Sequence, residues 1–584
     1  MEKILFIVPP YVSYDNFVNP SFFEATMQKN NKIYKNLVVD MPLGVLSLSA
    51  YLKRHTKVDI KVIDFNVIIN KLENFNFNSF KELYSEILSG EEYLDFAPTV
   101  IGISSLFMPS YFNTLDIAKV GRNIFPKSVI TAGGSMATTM YKEIFDAGDY
   151  FDALCYGEGE LPFLGLLKAI NKQEYLKNSS SWVTKEKIDN KELLKHDFID
   201  DLDEIPFYDY DLLDVADYRL NDMLGNYPLA KKSSQSMPVI TTRGCPYFCN
   251  FCSSHAVHGR KVRFHSLDHL RNDFKRLIEK YGIVAIKFMD DHFMANKKRA
   301  YELISIMKEL GLTAYFPSSL TLFSLDKPML TALNDIGVDN LVLSVESGSQ
   351  RVLRELMHKP LNLKIIKQVT NDCYELGIKS DINILVGLPG ETKQDLEDTR
   401  SFLKTIKATW FRINVATPLV GSEMFDTAVE NNYLKGDYME SNYKTSVIET
   451  EDFTAEEIGE FAYSLNLELN FVENSDLRVG NYEDALIGFI KTLKLKNDHA
   501  FASYFAALCH KKMNSEDQYQ IYKLKYQEIL NESVLWQGYA KRFNLPKEPS
   551  EFTPGTNMME NEQLAVQSGK FGNNTRFPLD LHLQ

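Results

Sequence analysis

Residues 245–252 read Cys-Pro-Tyr-Phe-Cys-Asn-Phe-Cys, and this stretch decides the fold class of the chain. It holds three of the six cysteines, at C-x3-C-x2-C spacing, while the other three are scattered. Clustered thiols in a chain with few cysteines indicate a metal site in a reducing compartment rather than a disulfide framework. Three thiolates can each bind one iron of a [4Fe-4S] cube and leave the fourth iron open to a small molecule. A structural zinc site with His255 or His258 as fourth ligand, or three unrelated cysteines, are the alternatives.

The cysteines directly follow the first of six short apolar runs that alternate with helix-length segments. Such an alternation predicts parallel strands with crossover helices, and the number of strands indicates an open or partial (β/α)6 barrel spanning residues 233–425. The chemistry of such a barrel lies at the carboxyl ends of its strands. The predicted strands are residues 239–242, 284–289, 313–317, 341–345, 382–386 and 411–416.

A second alternation occupies residues 1–170. Its apolar runs, each bounded by helical patterns, predict a doubly wound, Rossmann-like α/β domain with strands buried on both faces. The predicted strands are residues 4–8, 59–63, 100–103, 129–132 and 153–155.

The remaining segments lack this alternation. Residues 171–232 are polar and aromatic without a period and predict a linker, and residues 546–584 predict an extended tail. Residues 426–545 predict a small α-helical C-terminal domain with one tetratricopeptide-like hairpin. Four residues at helical spacing in that hairpin are predicted to pack in its core: Tyr482, Ala485, Phe489 and Leu493.

The composition excludes several classes of partner. The 584 residues carry a net charge of -14, which disfavours binding to a nucleic-acid backbone. No apolar run reaches the roughly 18 to 20 residues that a membrane-spanning helix needs, and the first residues do not resemble a signal peptide. We therefore expect a cytoplasmic protein without a transmembrane segment.

Several motifs around the cysteines make residues 241–421 resemble the radical S-adenosylmethionine (SAM) superfamily. An aromatic residue, Phe251, precedes the third cysteine, and Met-Asp-Asp-His at 289–292 ends the second barrel strand. Val-Glu-Ser-Gly-Ser at 345–349 ends the fourth strand, and Val-Gly-Leu-Pro-Gly-Glu-Thr at 386–392 ends the fifth. Taken singly, the aspartates fit a helix N-cap and residues 387–392 an ordinary turn. Together with the cysteines they support the resemblance, and the resemblance implies a reductive cleavage of SAM.

The resemblance implies roles for individual residues. The catalytic cysteines Cys245, Cys249 and Cys252 would bind the [4Fe-4S] cluster. Asp290 or Asp291 fits the ammonium group of SAM, and Glu346 fits a ribose diol. Arg412 is a candidate for the SAM carboxylate, with a surface ion pair as the alternative. The full set of SAM-binding residues predicted in this way is Phe251, Asp290, Asp291, Glu346, Gly348, Gly387 and Arg412.

The N-terminal block resembles corrinoid-binding Rossmann domains. Ser-Ser-Leu at 104–106 is followed after 26 residues by Gly133-Gly134. In that family the serine and the glycines line a slot for the nucleotide tail of cobalamin, since a hydroxyl can bond a benzimidazole nitrogen and glycines let a flat group approach the backbone. Residues 42–45 and the Gly-Glu-Gly-Glu motif at 157–160 also resemble this group. The predicted cobalamin-binding residues are Asn66, Ser104, Leu106, Gly133 and Gly134.

One departure concerns the cobalt ligand. The family motif D-x-H-x-x-G appears at residues 64–69 with Asn66 in place of histidine and Ile69 in place of glycine. An asparagine amide is a poor cobalt ligand. The corrinoid would then bind with its lower face uncoordinated, or the domain has kept the fold and lost the cofactor. His55 and Tyr11 are alternatives near the cobalt, although His55 lies in a charged stretch typical of a solvated histidine.

The resemblance implies an oxygen-sensitive, cobalamin-dependent radical SAM enzyme that methylates an unactivated carbon of a small molecule, lipid or peptide. A reductant such as flavodoxin or ferredoxin would supply electrons. The alternatives are a non-methylating cyclase or rearrangement enzyme and, in another class, a scaffold protein with a vestigial radical SAM core. A methylthiotransferase would be expected to carry extra cluster cysteines in its N-terminal domain. It is disfavoured here, because Cys155 is the N-terminal block's only cysteine.

Overall fold

A computed structural model describes residues 1–20, 26–219, 235–436, 438–441 and 443–553. Residues 220–232 of the predicted linker and the predicted tail beyond residue 553 lie outside the described residues. Contacts divide the chain into two compact units, residues 1–466 and 467–584.

The first unit begins with a six-stranded sheet in the order β4-β1-β5-β6-β7-β8, parallel except for the pairing of β7 with β8. The strand order reverses at β1, so ligands are expected beyond the carboxyl ends of β1 and its neighbours. A hairpin, β2–β3, stands apart from this sheet. The strands are β1 (Glu2–Val8), β2 (Thr26–Lys29), β3 (Lys32–Lys35), β4 (Val58–Asp64), β5 (Val100–Ser104), β6 (Val129–Gly133), β7 (Ala153–Cys155) and β8 (Trp182–Val183).

Helices cover both faces of this sheet, as its largely buried strands β1, β5, β6 and β7 require. They are α1 (Tyr14–Val18), α2 (Leu43–His55), α3 (Phe65–Lys71), α4 (Phe80–Leu88), α5 (Glu91–Phe96), α6 (Tyr111–Ile124), α7 (Ser135–Thr139), α8 (Tyr141–Asp146), α9 (Glu160–Lys168), α10 (Lys172–Asn178) and α11 (Lys185–Asp189).

Two three-stranded parallel sheets, β9-β12-β13 and β14-β15-β16, form the partial barrel. A parallel bridge between Leu320 and Leu343 joins the segment after β13 to β14, so the six strands follow one another in chain order. The strands are β9 (Ser236–Val239), β10 (Thr242–Arg243), β11 (Arg263–Phe264), β12 (Ala285–Phe288), β13 (Thr313–Tyr315), β14 (Asn340–Glu346), β15 (Lys379–Val386) and β16 (Trp410–Val415). The helices are α12 (His255–His258), α13 (Leu267–Tyr281), α14 (Lys297–Glu309), α15 (Lys327–Asp335), α16 (Leu363–Glu375), α17 (Lys393–Leu403), α18 (Glu423–Glu430) and α19 (Ala455–Leu467).

The first barrel strand ends earlier than the predicted range of 239–242. It stops at Val239, and β10 then pairs antiparallel with β11 in a separate two-stranded ribbon. The sequence shows no sign of this ribbon, because two-residue strands are too short to have a period. We call residues 244–262, which connect the two strands of the ribbon and contain the three cysteines, the cysteine loop.

The second unit is helical. It continues from a π-helical turn (Glu468–Val472) into α20 (Ser475–Arg478), α21 (Tyr482–Leu495), α22 (Ala500–Lys512), α23 (Glu516–Glu532) and α24 (Val534–Arg542). Helix α22 is buried along most of its length and packs against α21 and α23. On α21, Ala485, Phe489 and Leu493 are buried and Tyr482 is half-buried. This unit begins at Leu467, later than the predicted helical domain, and residues 426–466 belong to the first unit.

No helix within the described ranges is long and apolar enough to span a membrane.

Candidate active site

The start of the cysteine loop is held by one hydrogen bond to the barrel and one within the loop itself. The amide of Gly244 donates to Oδ2 of Asp291 at 2.9 Å, and the amide of Cys245 donates to the carbonyl of Gly259 at 3.3 Å. Gly244 has φ of +93°, and a Cβ there would lie 2.5 Å from the carbonyl oxygen of Lys261. Only glycine fits this turn, which closes the loop on itself.

The three thiols of Cys245, Cys249 and Cys252 are free and half-buried. Burial, and after it the negative charges of Cys252 and Cys245, raise the pKa of the Cys249 thiol to about 11, although the nearby ammonium group of Lys359 lowers it. The three thiols therefore lie close enough to interact. A bound cation would relieve this mutual repulsion, and the donor set therefore fits an iron–sulfur cluster.

Glu346 faces this group of thiols from the end of β14. Its backbone has φ of +69°, in the left-handed region that a residue with a Cβ rarely adopts. Its carboxylate lies 3.0 Å from Nζ of Lys359, and both side chains are largely buried. A backbone conformation of this kind costs about 1–3 kcal/mol and persists only where surrounding contacts hold it, which is common at functional sites. Sequence reasoning missed Lys359, which carries no motif of its own.

The two predicted aspartates hold the backbone that leads into the cysteine loop. Asp290 is buried, and its Oδ1 accepts from the amides of Thr241 and Thr242, the latter at 3.1 Å. Burial raises the pKa of Asp290 to about 6, against the effect of these hydrogen bonds. Asp291 accepts from Gly244, as described above. Both side chains therefore act on the protein itself, and a contact of either with SAM stays a prediction.

Among the other predicted SAM-binding residues, two are glycines that allow close packing. Gly348 donates from its amide to Thr399 Oγ1 at 3.1 Å, and a Cβ there would lie 2.8 Å from Thr399 Cα. Gly387 has φ of +86°, and a Cβ there would lie 2.7 Å from Cγ2 of Ile458. Both positions are explained by packing, and a role for them in binding SAM stays a prediction.

Arg412 and Phe251 complete the predicted SAM set. Arg412 lies on β16 and forms an ion pair with Asp381 of the neighbouring strand, at 2.7 Å. This contact corresponds to the alternative considered for a strand arginine. Phe251 is half-buried between the second and third cysteines. Binding of SAM by either residue stays a prediction.

The N-terminal sheet brings its two predicted cobalamin motifs together. Ser104 is the register partner of Gly133, and the amide of Ser105 donates to the carbonyl of Gly133 at 2.7 Å. Gly134 has φ of +118°, and a Cβ there would lie 2.6 Å from the carbonyl oxygen of Ser105 and 3.1 Å from Leu106 Cδ2. The hydroxyl of Ser105 is buried, and no hydrogen-bond partner within the described part of the chain reaches it. An unsatisfied buried hydroxyl beside a glycine cradle fits the polar tail of a corrinoid.

Asn66 is fully buried and its amide is bonded within the protein. Its Oδ1 accepts from the amide of Tyr11, and its Nδ2 donates to the carbonyl of Pro9 and to Asp64 Oδ1, each at 3.0 Å. It thereby joins the segments after β1 and β4. His55 is exposed in the last turn of α2, and its ring contacts that of Tyr51 in a tilted arrangement. A corrinoid contact of Asn66 stays a prediction.

The two candidate sites adjoin one another within the first unit. Gly157, just beyond β7, lies against Val257 of the cysteine loop, with 3.3 Å between its ideal Cβ position and that residue's carbonyl oxygen. Helix α12 of the loop packs against α7, the helix that follows Gly133-Gly134.

Two known protein families match separate regions of the chain. The B12 binding domain family matches residues 40–167, and the radical SAM superfamily matches residues 239–403. The chain contains a B12-binding domain followed by a radical SAM domain.

Several named proteins are similar to this chain over about two thirds of its length. It is 27% identical over 396 residues to a protein named uncharacterized methyltransferase PH0819 of Pyrococcus horikoshii, covering 67% of this chain and 79% of the relative. It is 25% identical over 407 residues to the cytidylyl-2-hydroxyethylphosphonate methyltransferase of Streptomyces wedmorensis, covering 64% and 76%. It is 24% identical over 391 residues to the hopanoid C-3 methylase of Methylococcus capsulatus, covering 66% and 68%.

Solved structures share its fold. The cobalamin-dependent SAM radical enzyme OxsB superimposes with a TM-score of 0.59 at 15% identity, covering 97% of this chain and 83% of OxsB. The radical SAM methyltransferase TsrM of Kitasatospora setae gives a TM-score of 0.55 at 13% identity, covering 90% of this chain and all of TsrM. The predicted order of a Rossmann-like domain, a partial barrel and a helical C-terminal region is confirmed.

Proposed function

We propose that this protein is a cobalamin-dependent radical SAM enzyme that transfers a methyl group to an unactivated carbon. The observation that carries the proposal is that the three half-buried thiols and the Ser105–Gly134 cradle lie on adjoining segments of one compact unit. A cluster in the loop and a corrinoid on the sheet would therefore be neighbours. The named methyltransferases that are similar to this chain support the same reaction class.

Each group would be held by particular residues. Cys245, Cys249 and Cys252 would bind a [4Fe-4S] cluster, which supplies the electron that cleaves SAM to methionine and a 5'-deoxyadenosyl radical. Ser105, beside the predicted Ser104, would donate its free hydroxyl to a corrinoid, which supplies the methyl group. With Asn66 bonded to the protein, the corrinoid would bind without a protein ligand from this position.

The surrounding residues prepare the site. Lys359 partly neutralises the negative charge on the thiolates and on Glu346. The ring of Tyr247, within the cysteine loop, lies 5.2 Å from that of His292 and 5.7 Å from that of Phe323. These three rings would form an aromatic border to a bound cluster. The substrate is a small molecule, a lipid or a peptide, and a flavodoxin or ferredoxin is the proposed reductant.

The test is anaerobic reconstitution of the full chain with iron, sulfide and hydroxocobalamin, followed by metal analysis and incubation with SAM and dithionite. We expect about four irons and one cobalt per chain, with formation of 5'-deoxyadenosine. Cys249→Ala removes a cluster ligand and should abolish both the cluster and 5'-deoxyadenosine. Cys373→Ala is the matched control, because this buried cysteine lies on α16 and outside the cysteine loop.

The outcomes separate the alternatives. Iron without cobalt would refute the methyltransferase and leave a radical SAM enzyme with a corrinoid-free domain. Absence of iron would refute the enzyme and favour a scaffold. With deuterated-methyl SAM and a panel of lipid and phosphonate acceptors, a product that gains one labelled methyl supports methyl transfer, whereas an unlabelled cyclised or rearranged product supports the non-methylating alternative.

A further inference from the structure

The carboxylate of Glu158 reaches both ends of the cysteine loop. Its Oε2 lies 3.1 Å from Nη1 of Arg243, which precedes the loop, and 2.9 Å from Nη1 of Arg263, which follows it. Its Oε1 lies 2.5 Å from Nη2 of Arg263 and 2.8 Å from Nδ1 of His258. One side chain of the B12-binding domain therefore ties together the residues on both sides of the three cysteines.

This contact is buried and balanced in charge. The side chains of Glu158 and Arg263 are each 2% exposed and that of Arg243 is 7% exposed. Glu160 pairs with Arg243 at 2.7 Å, so two carboxylates face two guanidinium groups. Burial raises the pKa of Glu158, but the charge of Arg243 and the hydrogen bonds from His258 and Arg263 outweigh it, and the pKa lies below its usual range. The carboxylate is thus ionised when it bonds the loop.

Glu158 is itself fixed on the side of the B12-binding domain. The amide of Gly157 donates to Thr138 Oγ1 at 3.1 Å. Thr138 belongs to α7, which begins directly after Gly133-Gly134. A short chain of contacts therefore runs from the glycine pair through Gly157 and Glu158 to the cysteine loop.

We propose that Glu158 is a positioning residue that sets the cysteine loop against the B12-binding domain. The loop has one four-residue helix as its regular structure, so its backbone depends on contacts with its surroundings. A buried bidentate ion pair restricts the relative positions of its two side chains more than a single contact does. If either side chain moves, a hydrogen bond between buried charges is lost. The inference rests on the proposed function, because that function makes the loop a cluster site. The contact between Glu158 and the loop is independent of it.

The first test measures the loop before any cofactor is added. Hydrogen–deuterium exchange of residues 244–262 would be followed in the full apo chain for the wild type, Glu158→Gln and Glu158→Asp. Gln removes the charge, and Asp keeps the charge but is one methylene too short to reach both ends. We expect exchange in the loop to be about tenfold faster in both variants, from the loss of charge-assisted hydrogen bonds.

Asp273→Asn is the matched control. Asp273 is also buried and pairs with an arginine, but its partner Arg276 lies on the same barrel helix, α13. This variant removes a buried carboxylate without touching the loop, and exchange of residues 244–262 should match the wild type. If all three variants accelerate exchange equally, Glu158 contributes general stability and the positioning role is refuted.

A second measurement uses the reconstituted protein. After removal of free iron, the half-life of the bound cluster under a chelator should be several-fold shorter in the Glu158 variants, and the change in the electron paramagnetic resonance spectrum on adding SAM should differ from the wild type. Unchanged exchange, cluster lifetime and spectrum in a folded Glu158→Asp would overturn the inference. If the wild type binds no iron, the proposed function fails, while the exchange experiment still decides the role of Glu158.

His258→Asn provides a variant for the case in which the Glu158 variants do not fold. It removes one contact at the far end of the loop and leaves both arginine pairs in place. Faster exchange confined to residues near α12 supports positioning by Glu158, and exchange equal to the wild type throughout the loop contradicts it.

Discussion

The carboxylate of Asp290 accepts a hydrogen bond from the hydroxyl of Thr241, with 2.7 Å between Oδ2 and Oγ1. The same side chain accepts from the backbone amides of Thr241 and Thr242. It therefore joins the end of β12 to the segment where the chain leaves β9 and turns towards the cysteines.

Asp290→Ala should destabilise this connection. It leaves two buried amides without an acceptor, at a cost of about 1–3 kcal/mol for each unsatisfied group. Urea unfolding should show the loss of stability, and iron uptake on reconstitution should fall. Asp290→Asn keeps one acceptor oxygen and an amide group that can donate to the Thr241 hydroxyl, so it should retain most of the iron. Equal loss in both variants would show that the negative charge, not the hydrogen-bonding shape, is required.

Gly134→Ala should impair the corrinoid cradle. The new Cβ would lie 2.6 Å from the carbonyl oxygen of Ser105, at a residue with φ of +118°. We expect a loss of about 1–3 kcal/mol in stability and a cobalt content well below the wild type after reconstitution. Gly459→Ala, on helix α19 with no atom within 4 Å of the added Cβ, should be neutral or stabilising. Full cobalt content in a folded Gly134→Ala would exclude this cradle as the cobalamin site.

Lys359→Met should lower the reactivity of Cys249. The pKa of this thiol is raised to about 11, mainly by burial, even with the ammonium group of Lys359 lowering it, so removal of that group should raise the pKa and decrease the thiolate fraction further. Alkylation of Cys249 by iodoacetamide in the apo chain at pH 9, followed by mass spectrometry, should be several-fold slower. Lys359→Arg keeps the charge and should react at nearly the wild-type rate. A similar slowing in the arginine variant would point to packing rather than charge.

The second unit should lose stability in acid because of His499. This side chain is buried, and its Nδ1 accepts from the amide of Ala502 at 3.1 Å, so it caps α22 in its neutral form. Burial lowers its pKa to about 3. The unfolded chain then binds a proton that the folded chain does not, and stability falls as the pH drops from about 6.5 towards 3, by up to about 1.4 kcal/mol per pH unit.

His499→Asn tests this origin of the acid sensitivity. Asparagine is a good N-cap residue and does not titrate, so the variant should show a flatter dependence of the urea midpoint on pH between 7 and 4. The transition can be followed by tryptophan fluorescence, because the rings of Trp536 and His499 are in contact, with 4.8 Å between their centroids. An unchanged slope would assign the sensitivity to other groups.

The periodic pattern of the sequence predicted the strands and helices. It did not predict individual side-chain contacts or very short strands. Short apolar runs located the parallel strands to within a few residues, and the Ser-Ser-Leu and Gly-Gly motifs do meet across β5 and β6. The two-residue strands β10 and β11 gave no period. The pairing of Glu158 with Arg243 and Arg263 was equally hidden, because charged residues 85 to 105 positions apart suggest exposed surface until a fold brings them together.

The roles of polar residues at motif positions were also ambiguous from the sequence, for a physical reason. The sequence marks Asp290 and Arg412 as groups able to bind a charged ligand, but it does not show whether the protein already uses those groups. Asp290 is engaged by backbone amides and Arg412 by Asp381. Conversely, Ser105 lies between the two predicted positions of its motif, and its unsatisfied hydroxyl becomes evident only from its burial.

The bonding of Asn66 has a consequence for how this domain can change over evolutionary time. Its amide donates and accepts in three directions, and a histidine ring placed there cannot reproduce that geometry, since its two nitrogens diverge and neutral imidazole offers one donor and one acceptor. A histidine at this position that offered one nitrogen to a metal would have only the other nitrogen for the protein, so at least two of the three bonds would be lost. Introducing such a ligand here would therefore require further substitutions to replace the lost bonds.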